Sequence, residues 1–394
     1  MRKLSAHYIL SPGLPPLPKA VLEIDDDGTI LNLRPGYGSQ KEEDKLEFYS
    51  GILVPGFVNV HTHLELSHLH RKIDRGTGLS EFIRQVIKKR TEYQLDPGLI
   101  LKRMAQMRQQ GTVAVGDISN SLDSLDAKKK SDLYTHSFVE LFGLNPALAQ
   151  QIWNEGKKVH KGFASAGLST SLSPHAPYSL SEALWQKLRS HEKKSDLVSI
   201  HHQESPEEQD LMSSHTGRMA RAFIRQGIDP DLFPGPVKST PQWILPRLPK
   251  ASGYLFVHNT YSQNSDLELI RQEIESDKTF FALCPNANQF IENALPSNMI
   301  GERHNLQLCI GTDSLASNEH LSVLEEIKTL TNNFPELKLS ELITWATLNG
   351  AKALGIANRF GSFERGKQPG VVLLEKLDIS GLKMTDECQS RSLL

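Results

Sequence analysis

Two histidines one residue apart, His61 and His63, close an apolar run in "GILVPGFVNVHTHLELSHLH" at residues 51–70, a stretch that holds four histidines. In an extended strand, residues two apart face the same side, so His61 and His63 offer two imidazoles to one space while Thr62 faces away. Neutral imidazoles suit zinc, iron, nickel or copper better than magnesium or calcium. A pair of them is half a metal site. Candidates for the rest stand at the ends of later apolar runs: His175 in "SLSPHAPYS", His201 in "LVSIHHQES", His258 in "YLFVHN" and Asp313 in "LQLCIGTD". Any one of these histidines alone reads better as a surface or hydrogen-bonded residue; their agreement in position is the argument. With His201 and Asp313, the first pair would give three nitrogens and one carboxylate, leaving room for a water that a metal acidifies toward neutral pH. Glu204, three residues past His201, stands where a carboxylate can transfer a proton. Beside Glu207 and Glu208 it reads equally well as a solvated loop residue. His68 and His70 read as polar loop residues beyond the strand.

Elements that could gather these residues recur along the chain. Eight short apolar, β-branched runs read as strands: 52–60, 112–118, 136–142, 168–174, 197–202, 254–259, 280–285 and 306–313. Near-continuous apolar runs suit parallel strands buried on both faces. Helix-like segments such as "LSEFIRQVIKKR" and "SDLELIRQEIES" lie between them. Strands alternating with helices predict an α/β fold of the (β/α)8, TIM-barrel type, whose chemistry lies at the C-terminal ends of the strands. The candidate ligands stand at those ends. The chain ends break the alternation with turn-and-strand patterns, "AVLEIDDDGTILNL" and "FGSFERGKQPGVVLLEKL". They predict one small β-sandwich from residues 1–54 and 360–394, flanking a barrel over 55–359. The segment from Ser205 to about Gln242 reads as long, polar and irregular, and an excursion of that length is more often functional than idle.

Bulk properties narrow the classes. The 394 residues are 38% hydrophobic and 23% charged, with a formal net charge of -2, which lacks the basic footprint of a nucleic-acid binder. The opening "MRKLSAHYILSPGLPPLPKA" lacks the apolar core of a secretory leader, and no apolar run approaches the ~18 residues that span a membrane. Cys284, Cys309 and Cys388 form no disulfide framework. A cytoplasmic protein acting on a small molecule, with neither nucleic-acid nor membrane partner, is the expectation.

As a set, the motifs resemble those of the amidohydrolase superfamily in its cytosine deaminase-like branch. "PGFVNVHTH", "HAPYS", "HHQES", "VHN", "CPNAN" and "GTDSLASNEH" follow in that branch's order, and "GSFERGKQPGVVLL" resembles the closing strands of its small domain. The closing motif has "PGVVLL" where the branch usually carries Ala-Asp-Leu. The resemblance implies that His61, His63, His201 and Asp313 ligate one divalent transition metal, zinc ahead of iron. It implies that Glu204 shuttles a proton to a ring nitrogen, that His258 and Asp313 orient and deprotonate the water, and that His175 contacts substrate. Binuclear relatives often carry a bridging lysine at strand four; this chain has none there, which favours a single metal. Glu140 is a minority alternative as a bridge, with a hydrogen-bonding or substrate role preferred. "HTHLELS", with Glu65 and Ser67, followed by "GTGLSEFIRQVI", resembles the 6-aminodeoxyfutalosine and S-adenosylhomocysteine deaminase group and implies an adenine nucleoside substrate. The rivals are other reactions on the same scaffold, namely guanine or cytosine deamination, chlorohydrolysis and ring amide hydrolysis, or a scaffold relative without metal. A zinc-dependent nucleic-acid deaminase is set aside because the chain has no P-C-x-x-C. Relatives commonly form homodimers.

Overall fold

The computed structural model describes residues 1–36, 44–191 and 196–394; residues 37–43 of the predicted N-terminal β segment lie outside these. The chain begins with β1 (Arg2–Ile9), β2 (Leu17–Pro18), β3 (Val21–Ile24), β4 (Ile30–Arg34) and β5 (Leu46–Pro55). Eight parallel strands follow: β6 (Phe57–Thr62), β7 (Thr112–Ser119), β8 (Tyr134–Leu141), β9 (Ser169–Pro174), β10 (Leu197–His202), β11 (Gly253–His258), β12 (Thr279–Leu283) and β13 (Leu308–Ile310). The last two strands, β14 (Val371–Glu375) and β15 (Gln389–Ser392), return to the first group. There β14 pairs antiparallel with β5, so both chain ends build one seven-stranded sheet in the order β15-β14-β5-β1-β3-β4, with β2 on β1. Leu4, Ile9, Leu22, Leu53, Val371 and Leu373 form its own apolar core.

The parallel strands lie in two four-stranded sheets, β6-β7-β8-β9 and β10-β11-β12-β13. Hydrogen bonds join the sheets at both seams. His201 N donates to His175 O at 2.9 Å, and Thr312 N and Asp313 N both donate to His61 O at 3.0 Å. Every residue of β6, β7 and β10 is buried, as two-sided burial of parallel strands requires. Helices connect the strands: α1 (Leu79–Glu92) and α2 (Pro97–Gln109) after β6, α3 (Leu125–Lys130) after β7, α4 (Ala149–Ser165) after β8, and α5 (Glu182–Ser190) after β9. Beyond β10 come α6 (Pro206–Ser214), α7 (Gly217–Arg225) and α8 (Thr240–Ile244); α9 (Asn264–Glu273) follows β11 and α10 (Pro285–Glu292) follows β12. Among the described residues, no helix is long and apolar enough to cross a membrane.

Three sequence expectations need correction. The run 52–60 is not one strand: it divides at Gly56 between β5 of the end sheet and β6 of the parallel set. A Cβ on Gly56 would lie 2.3 Å from Val113 Cγ1 and 2.5 Å from Pro369 O, so the chain can cross between the two sheets only where no side chain intervenes. The predicted eighth strand shrinks to Leu308–Ile310, and Asp313, at a left-handed φ of 55°, keeps only an isolated parallel bridge to Thr62. The segment after Ser205 is mostly helical rather than irregular. Ser205 caps α6 by accepting from Glu207 N at 3.1 Å, and Pro206 stands at the first helical position, where its missing N–H costs nothing.

Candidate metal and catalytic site

His61 lies inside β6, and His63 follows one residue after its end, yet both rings reach the same point. Their Nε2 atoms are 3.2 Å apart. Asp313 Oδ1 lies 3.3 Å from His63 Nε2 and 3.7 Å from His61 Nε2. Two imidazole nitrogens facing each other across a carboxylate oxygen are poorly satisfied by protons alone and well satisfied by a divalent cation. His201, at the end of β10, brings its ring centroid to 4.9 Å from that of His61 and 5.4 Å from that of His63. Its Nδ1 is within 2.9 Å of His175 O, which leaves Nε2 to face the other rings. His258 stacks on His201 with centroids 5.5 Å apart. Candidate donor atoms fall into overlapping triplets lying within 4.8 Å: His61, His201 and His258; His61, His63 and Asp313; Glu140, His175 and His201.

Backbone conformation aims several of these groups. His258, Asn259 and Asp313 have φ of 73°, 55° and 55°, a region that residues other than glycine enter only when their surroundings enforce it. His258 Nδ1 meets Asn288 Oδ1 at 2.9 Å, and Ser317 Oγ donates to Asp313 Oδ2 at 2.5 Å. Gly311 is required here: a Cβ would come within 2.8 Å of His61 Cβ and 3.0 Å of Cys284 Sγ. Gln203 turns the chain with φ 47°, and Glu208 accepts from Gln203 N and Glu204 N, each at 3.1 Å. Glu204 Oε1 then lies 3.6 Å from His258 Nε2.

Burial governs the protonation of this cluster. It lowers His61 to about 4 and pushes His201 well below the usual imidazole range, so both rings are neutral at pH 7, as metal ligation needs. Burial alone would raise the Asp313 carboxyl, but His61, His63 and His258 hold it far below the ordinary range. Burial raises Glu204 well above the carboxylate range, and the negative charges of Asp313 and Glu292 add to the shift. It also raises Glu208, to about 8.

The remaining sequence candidates border the cluster. His175 Nδ1 bonds Ser179 Oγ at 2.9 Å, and its ring centroid lies 4.9 Å from that of His201. Glu140 Oε1 sits 3.4 Å from His201 Nδ1, and Glu140 Oε2 accepts from Asn120 Nδ2 at 3.1 Å. Glu65 accepts from Ser121 N, Ser121 Oγ and Asn120 N at 3.0 to 3.2 Å, so it reaches Glu140 through the loop after β7. Asn288, Ser317 and Glu208 escaped the sequence reading. Asn288 and Ser317 lay inside the quoted motifs "CPNAN" and "GTDSLASNEH", but spacing alone gave them no partner. Asp117 did leave a signal, one charge inside the apolar run "TVAVGDI".

Residues 52–389 match the Amidohydrolase family. An adenosine deaminase from Helicobacter pylori is 29% identical over 327 residues, covering 82% of this chain and 78% of the relative. An aminodeoxyfutalosine deaminase from Nitratiruptor sp. is 27% identical over 389 residues, covering 95% and 91%. The crystal structure of Helicobacter pylori aminofutalosine deaminase in complex with methylthio-coformycin superposes with a TM-score of 0.80 at 23% identity, covering 98% of this chain and 94% of that one, a likeness of fold.

Proposed function

The chain belongs to the amidohydrolase family, and from that premise we propose that it is a metal-dependent hydrolytic deaminase of adenine nucleosides of the aminodeoxyfutalosine type. The observation that carries the reading is the convergence of His61, His63 and Asp313 within 3.7 Å, with Glu204 alongside. The relatives named as deaminases of adenosine and aminodeoxyfutalosine support the substrate class. His61, His63, His201 and Asp313 would hold one divalent transition metal, zinc before iron. When bound, such an ion supplies an acidified water at neutral pH.

Hydrolysis of an aromatic amidine adds water to the ring carbon that bears the amine. The adjacent ring nitrogen must gain a proton as that carbon becomes tetrahedral. Glu204, buried and held by the Glu208 cradle on its backbone, delivers this proton and regains one from the added hydroxyl as the carbonyl forms. The proton lost by the water passes to the departing amine, which leaves as ammonia. His258, braced by Asn288, and Asp313, braced by Ser317, orient the attacking water and receive its proton. His175 and Glu140 stand at the rim as substrate contacts, with Glu65 behind Glu140.

The same reading takes the two parallel sheets as halves of one closed (β/α)8 barrel over residues 55–359. It takes the sheet from 1–54 and 360–394 as a small sandwich beside it. The seam bonds between His201 and His175, and between Asp313 and His61, support closure. Three free cysteines fit a reducing, cytoplasmic setting, and a homodimer is the assembly to be tested. Ammonia release across aminodeoxyfutalosine, adenosine, guanine and cytosine tests the assignment. Release from adenine nucleosides is expected; release from guanine or cytosine alone would replace it.

A further inference from the structure

Asp117 is the one charged residue of β7, and its side chain and that of Lys128 are both completely buried. Lys128 Nζ pairs with Asp117 Oδ2 at 2.6 Å and donates to Ser119 Oγ at 2.9 Å and Ser137 Oγ at 2.8 Å. It also lies 4.5 Å from the centre of the Phe163 ring. Ser119 Oγ donates to the same Asp117 oxygen at 3.2 Å. A buried ion pair is weak evidence of a stability role, since an apolar pair of similar volume is commonly as stable. The other carboxylate oxygen shows a different use. Asp117 Oδ1 accepts from Thr62 Oγ1 at 2.9 Å and from Leu64 N at 2.8 Å. These donors belong to the residues immediately before and after His63.

We propose that Asp117, anchored by Lys128, is a positioning residue that fixes His63 and thereby sets the affinity of the site for its metal. The inference rests on the metal-dependent reading above. His63 lies beyond the last residue of β6, where the ladder to β7 no longer holds it. Its neighbours are clamped instead by one oxygen from β7. His61 is held separately, through its carbonyl, by Thr312 N and Asp313 N. The two ligands of the His-x-His pair thus have independent supports, and only that of His63 runs through a buried charge. Removing such a support behind a ligand typically weakens metal binding while leaving the ligand in place.

The test is zinc affinity of the purified full-length protein, measured by competition with a chromophoric chelator, alongside the thermal unfolding midpoint. Thr62→Val keeps shape and the Asp117–Lys128 pair but removes one clamp bond. Asp117→Asn removes the charge. Both are expected to weaken zinc binding about 10- to 100-fold, while Thr62→Ser, which restores the hydroxyl, binds as wild type. A merely structural role would lower the midpoint and leave zinc affinity unchanged. Folded Thr62→Val with wild-type affinity would overturn the proposal while leaving the deaminase reading intact. If Asp117→Asn does not fold, the Thr62 pair decides. Failure of the wild-type protein to take up zinc would bring down the metal-dependent reading, and this proposal with it.

Discussion

Glu204 owes its place to neighbours more than to its own position in the chain. The left-handed turn at Gln203 and the two backbone N–H bonds that Glu208 accepts set its backbone, and burial pushes its carboxyl well above the usual carboxylate range. Glu204→Gln preserves shape and should retain metal. Its turnover should fall by about 10²- to 10⁴-fold, the range general acid–base groups contribute, as measured by ammonia release beside elemental analysis. Gly311 makes a second prediction. Gly311→Ala places a methyl 2.8 Å from His61 Cβ, and overpacking of that kind costs about 1–3 kcal/mol. A lower unfolding midpoint and reduced metal content are expected together. At this scale the residues that converge, His61, His63, His201 and Asp313, were legible in the sequence because strand period and strand ends prescribe their direction. Asn288 and Ser317 were not, because their roles are side-chain contacts between segments that meet only in the folded chain. His258 and Asn288, for instance, lie thirty residues apart.

The elements divide in the same way. Parallel strands announce themselves by unbroken apolar runs, and most of their predicted bounds lie within two residues of those observed. Helix α6 did not, for it carries Glu207 and Glu208 on its buried side and so lacks an apolar stripe. Its sequence signal is the Ser205-Pro206 start. Ser205→Ala removes the cap and should cost ~1 kcal/mol locally. Faster amide exchange across 206–214, with a lower turnover through the loosened Glu208–Glu204 cradle, would register it. The split of 52–60 was also hidden, because Pro55-Gly56 can lie within an edge strand as well as between two sheets. Only the pairing of β5 with β14 distinguishes the cases.

At the scale of the whole molecule, buried histidines make folding depend on pH. His136, near the start of β8, sits between Ser169 Oγ at 2.8 Å and Ser171 Oγ at 2.9 Å, and burial lowers it to about 3. As pH falls below about 6.5, the unfolded chain takes up this proton before the folded one does, so stability is full above that value and declines toward pH 3. The unfolding midpoint should therefore drop across this window, and His136→Gln should flatten the drop. Metal adds a second linkage: an ion bound only by the folded state raises the midpoint, and chelation should lower it.

The central claim, a metal-dependent deaminase of an adenine nucleoside, is tested most directly by one measurement. Ammonia release from aminodeoxyfutalosine is followed for the protein as purified, after removal of metal by chelator and dialysis, and after zinc is returned. The account predicts release that is lost on stripping and regained on reloading, at close to one zinc per chain. Release that persists in metal-free protein, or none from the fully loaded protein, would contradict it.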